Sequence, residues 1–68
     1  MTQEQKAKFG EALANARKAA GLAQIACARR CGVSVVSYQN WERGLCEPRA
    51  AKMDLICEFL GLNAEEFK

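Results

Sequence analysis

Four of the five glycines, at positions 21, 32, 44 and 61, each close a stretch whose apolar residues recur at helical spacing. In a chain of 68 residues that punctuation leaves room only for short helices joined by tight turns. The pattern predicts an all-α fold, a compact five-helix bundle forming one domain over residues 1–68. The first helix is predicted from Gln5 to Ala20, with Phe9, Leu13, Ala16 and Ala20 inward. The second is predicted from about Ala23 to Cys31, with Cys27, Ala28 and Cys31 inward. Ser34 is expected to cap a third, running to about Glu42 and anchored by Tyr38 and Trp41. Pro48 suits the start of a fourth, which buries Met53, Ile56, Cys57 and Leu60. Asn63 is expected to cap a short fifth, Ala64 to Phe67.

Half of the residues are hydrophobic, enough for a small core, and a single proline argues against disorder. Charge is unevenly spread. Residues 1–52 hold nine Lys or Arg against four Asp or Glu, whereas residues 53–68 hold one Lys against four acids. A basic body with an acidic end suits a domain that turns one side towards phosphate, although an ordinary solvated surface fits the charge as well. No apolar run is long enough to span a bilayer and no leader pattern is present, so a cytoplasmic, nucleoid-associated protein with reduced thiols is expected. Cys27, Cys31, Cys46 and Cys57 have neither a CxxC pair nor a histidine beside them, which matches structural zinc spacing poorly. Cys27, Cys31 and Cys57 read as small core residues, and Cys46 as a loop thiol that could serve as a redox handle. With no histidine and no nucleophile–base pairing, no enzymatic role, metal, cofactor or small-molecule substrate is expected.

The most informative stretch is Gln24 to Arg43, QIACARRCGVSVVSYQNWER. It reads as a short helix, a tight turn at Gly32 and a second helix of about two turns. In that layout the first helix crosses the DNA backbone and the second enters the major groove. Ala28 is small where the two helices are expected to cross. Gly32 permits a left-handed backbone at the helix end. Val33 is expected to plug the corner.

Several separate pieces then fall in register: Leu13, Arg17 and Lys18, Gly21 and Leu22, Gln24, Ala28, Gly32 to Ser34, Trp41 to Gly44, Glu47 and Pro48, and Leu60 to Leu62. By these residues the segment from Leu13 to Phe67 resembles the Cro/repressor-type helix-turn-helix family of phage and bacterial transcription regulators, the lambda-repressor-like domains. The resemblance implies that Gln24 contacts a DNA phosphate. It implies that Ser34, Val35, Val36, Ser37, Gln39 and Asn40 meet base edges, and that Arg43, Leu45, Cys46 and Arg49 lie on the phosphate side. It also implies a structural pair, Arg17 with Glu42, bracing the first helix against the third.

Physical chemistry weighs these candidates separately. Gln39 and Asn40 are amides suited to adenine, whereas Val35 and Val36 offer only apolar contact, best with thymine methyls. A second use of the valines has Val36 packing inward. No Arg or Lys on this helix is available for guanine, so an A·T-leaning half-site is expected. Grip must come from phosphate contacts, with Lys18 or Lys52 as further cations, while Arg29 and Arg30 also suit the C-terminal end of their helix.

The chain departs from the family's pattern at four positions. Ala23 lacks a capping side chain, Cys27 and Cys31 fill the core thinly, and Ile25 is apolar where a polar residue is common. Leu55 and Phe59, off the inward face of the fourth helix, and the segment around the fifth helix are candidates for a homodimer surface; alternatively Phe59 covers the end of the fifth helix within one monomer. The expected function is a sequence-specific double-stranded DNA-binding transcription regulator, a repressor, binding a near-palindromic operator as a homodimer. The rival is a protein-interaction module on the same fold, antitoxin-like or an adaptor. A redox switch at Cys46 is a third reading.

Overall fold

The computed structural model describes residues 1–67. Of the single unit expected over 1–68, only Lys68 lies outside the described residues. The chain runs through α1 (Gln3–Ala19), α2 (Gln24–Cys31), α3 (Val35–Glu42) and α4 (Ala50–Leu60), then a single 3-10 turn at Ala64–Phe67. The expected bundle of five helices is thus corrected to four among the described residues. Four residues cannot support a ladder of i→i−4 bonds. The turn closes instead through Glu66 N–H donating to the Asn63 carbonyl at 3.1 Å, and Asn63 Oδ1 accepts from the Glu65 N–H at 3.1 Å. Phe67 meets the Phe9 ring edge-on with centroids 5.1 Å apart, which draws the turn against α1.

The helix ends explain the remaining shifts in boundary. α1 starts before Gln5 because Thr2 and Gln5 form a reciprocal capping box: Thr2 Oγ1 accepts from the Gln5 N–H at 3.1 Å, and Gln5 Oε1 accepts from the Thr2 N–H at 2.7 Å. α2 starts at Gln24, one residue later than expected, with Ala23 as a cap whose side chain makes no hydrogen bond. Pro48 is buried two residues ahead of α4's cap-flanked first turn, where Arg49 holds the N-cap position without a side-chain hydrogen bond.

Gly32 ends α2 at φ 67°, ψ 33°, in the left-handed region. Its N–H donates to the Arg29 carbonyl at 3.1 Å, and the next N–H, from Val33, reaches back to the Ala28 carbonyl at 3.0 Å. The same two-bond closure follows the other three helices, with Leu22, Leu45 and Leu62 in the place of Val33. Lys52 adds to the end of α2, its ammonium donating to the Cys31 carbonyl at 2.7 Å.

The core comprises Phe9, Leu13, Cys27, Ala28, Cys31, Tyr38, Trp41, Met53, Ile56 and Cys57, all buried. In α1 the inward face is corrected: Ala16 is half-buried and Ala20 exposed, because α1 ends at Ala19 and the chain turns away. At Gly10 α1 crosses α3 closely. A Cβ there would stand 2.5 Å from the Glu42 carbonyl oxygen and 2.7 Å from that of Trp41, so α1 and α3 touch backbone to backbone. This contact holds α3 at a fixed height over the core.

Candidate nucleic-acid interface

α3 displays its residues by its pitch. Tyr38 and Trp41, three apart, face the core and meet edge-on at 5.8 Å between centroids. Val36 and Ser37 lie on the outer side, Val36 being 60% exposed. Val35, about 100° round the helix from Val36, is half-buried and packs partly against the core. Val35 thus shows the groove side only part of its surface, and the alternative that had Val36 inward is corrected. Ser34 is exposed, but its Oγ is occupied in capping, accepting from the Ser37 N–H at 3.1 Å and donating to Ser37 Oγ at 3.0 Å. Gln39 and Asn40 are half-buried.

Behind this face lies a polar chain that joins α1, α2 and α3. Arg17 grips Glu42 with two bonds, Nε to Oε2 at 2.6 Å and Nη2 to Oε1 at 3.2 Å, while Nη1 donates to the Leu22 carbonyl at 2.9 Å. Gln24 Nε2 donates to Glu42 Oε1 at 3.0 Å, and Gln39 Nε2 donates to Gln24 Oε1 at 3.0 Å. One residue expected at a phosphate and one expected at a base thus touch each other. Composition and spacing give no sign of that contact, because the two glutamines are fifteen residues apart on separate helices.

The ion pair is largely enclosed, with Arg17 and Glu42 side chains 13% and 8% exposed. Burial opposes ionisation of Glu42, but the Arg17 guanidinium, the neighbouring Tyr38 hydroxyl and the Gln24 amide outweigh it and hold the carboxyl below its ordinary range. The hydrogen bond with Glu42 raises Arg17 in turn. Burial pushes the Tyr38 phenol well above its usual value, and its hydroxyl makes no hydrogen bond of ordinary geometry. Burial likewise raises the Cys27 and Cys31 thiols, which suits inert core residues.

Along the outer side of α3 the loop to α4 forms a rim. Arg43, Leu45, Cys46 and Arg49 are all exposed there. A cleft of about 370 Å³ separates this loop from α3, lined among others by Ser37, Asn40, Cys46 and Arg49. Lys52 borders the cleft, but its ammonium is committed to the end of α2, so it is not a loose cation for phosphate. Lys18 and Arg29 are exposed. Arg30 lies over the Phe59 ring, 5.8 Å from its centroid.

Away from α3, Leu55 is half-buried against the chain's own core, so of the proposed dimer pair only Phe59, 38% exposed, presents much surface. Ile25 is 47% exposed. Among the described residues no helix is long and apolar enough to cross a membrane, and no three metal-ligating side chains gather.

Two helices set by a glycine turn, the second held over the core by an aromatic pair and an ion pair, define a helix-turn-helix domain. Comparison with family profiles agrees: one described as helix-turn-helix matches residues 13–67. The chain belongs to this family, the helix-turn-helix domains of the lambda repressor and Cro kind. Comparison with curated proteins and with solved structures gave no match.

Proposed function

We propose that this chain is a sequence-specific, double-stranded DNA-binding transcription regulator, a repressor that lays α3 in the major groove. The observation that carries this is the outer face of α3: Val36 and Ser37 stand clear of the core, beside a rim bearing Arg43 and Arg49. Val36 supplies an apolar contact for a thymine methyl, and Gln39 and Asn40 supply amides for adenine. Arg43, Arg49, Gln24 and the loop at Cys46 supply the phosphate side. Residues 1–68 act as one domain, in the cytoplasm and at the nucleoid. Two copies bind a near-palindromic operator whose half-sites lie about 34 Å apart, one helical turn of DNA, with Phe59 and the outer part of Leu55 as the dimer surface.

The test is a titration of labelled duplexes drawn from a random pool, repeated at several salt concentrations. Affinity that falls with salt and favours one sequence family supports the reading. Salt-dependent binding with no preference for any sequence overturns it.

A second reading rests on a specific observation. Ile25, Val36 and Leu45 are exposed large hydrophobics at 47%, 60% and 63%, an apolar display suited to a protein partner, antitoxin-like or adaptor. Replacing Val36, Gln39 and Asn40 together with alanine separates the two. Function lost together with operator binding favours the regulator; function that survives the change rules out DNA reading by α3 as the central activity and favours the module.

A further inference from the structure

The hydrogen bonds behind α3 run in one direction. A carboxylate only accepts, so Glu42 obliges Gln24 to turn its amide nitrogen inward, where Nε2 stands 3.0 Å from Glu42 Oε1. That leaves Gln24 Oε1 facing α3, and it accepts from Gln39 Nε2 at 3.0 Å. Gln39 therefore has its nitrogen committed inward and keeps its carbonyl oxygen, with one remaining N–H, for whatever lies against α3. Two amides paired in isolation could both flip without loss. Here the flip would set the Gln24 carbonyl oxygen against the carboxylate, which Arg17 keeps ionised and in place through bonds of 2.6 and 3.2 Å.

We infer that Glu42, acting through Gln24, fixes the donor–acceptor polarity of Gln39 and makes it a reader of base edges that present an amino group. The inference rests on α3 being the groove helix. Adenine fits best, since its N6 amino group donates to the Gln39 carbonyl while N7 accepts the remaining N–H. Cytosine satisfies the carbonyl alone. Guanine and thymine present only acceptors to it in the major groove. Gln39 is then the specificity-determining residue, and Gln24 and Glu42 are positioning residues. An ion pair that looks purely structural is thereby tied to the choice of base.

The test compares the full chain with Gln24→Met and Gln39→Met by selection from a random duplex pool, followed by competition titrations. Gln24→Met removes the amide while keeping side-chain length and the Arg17–Glu42 pair, and a thermal melt checks that it folds. The wild type is expected to favour adenine at one base pair by about tenfold over guanine or thymine. Gln39→Met should abolish the preference at that pair. Gln24→Met should reduce it to about threefold or less at the same pair, leave the others in place, and lower affinity on all sequences alike through its lost phosphate contact. A merely structural Gln24 would not alter the preference at a single pair. Full preference retained in Gln24→Met overturns the inference and leaves α3 as the reader. Selection of guanine or thymine at the pair sensitive to Gln39→Met also overturns it. A wild type without preference at any pair removes both the reading of α3 and the inference.

Discussion

A Cβ added at Gly10 would stand within 2.5–2.7 Å of two backbone oxygens of α3, and neither oxygen can move without shifting the helix that Tyr38 and Trp41 anchor. Gly10→Ala would ordinarily favour a helix interior. Here we expect it to destabilise by about 1–3 kcal/mol, the cost of overpacking, as measured by urea unfolding. Glu42 offers a second test at the same scale. Its folded carboxyl titrates below the ordinary range, so the native state releases this proton more readily than the unfolded chain does. Its contribution is complete above the unfolded value, about 4.3, and is lost as pH falls through the lower folded value. Glu42→Gln should flatten that acid limb in pH-dependent melts. At neutral pH, Glu42→Ala should cost about 3 kcal/mol, the low end for a buried pair, because both side chains keep some contact with solvent.

At the scale of the element, α2 lacks a side-chain cap, yet Ala23 already holds the extended backbone a cap needs, φ −79° and ψ 155°. Ala23→Ser should therefore stabilise by about 1 kcal/mol in the same unfolding assay. Where helices stop was legible because the stop is local: Gly32 and Val33 close α2 through bonds that reach no further than Ala28. The start of α1 is equally local, since Thr2 and Gln5 have the spacing of a capping box, although the apolar periodicity of the helix begins only at Phe9. The facing of Val35 and Val36 was not local. It depends on how α3 rolls over the core, and α3 meets the core beside a second helix whose Gly10 lies against its last turn. The same holds for Lys52, whose lysine reads as a free cation until α4 packs beside the end of α2. In the site, the type and order of groups on α3 could be read from the sequence. Their pairing across helices could not, because Gln24 meets Gln39 only after α2 and α3 have docked.

For the molecule as a whole, the cations on the candidate interface are few, so each should count in the salt dependence of DNA binding. Replacing exposed Arg43 with alanine should weaken binding on all sequences alike and reduce the slope of log affinity against log salt by about 1. A second whole-molecule consequence comes from the closure that ends each of the four helices. It uses residues no more than five apart in the chain, as from Val33 to Ala28 or Leu62 to Cys57, so every helix can end before it meets a neighbour. Little of the conformational search then waits on distant partners. Chains dominated by such local contacts fold in microseconds to milliseconds, and temperature-jump relaxation of this one should fall in that window. A free domain that reforms this quickly would spend little time with the apolar faces of its helices uncovered, a kinetic protection against aggregation and proteolysis.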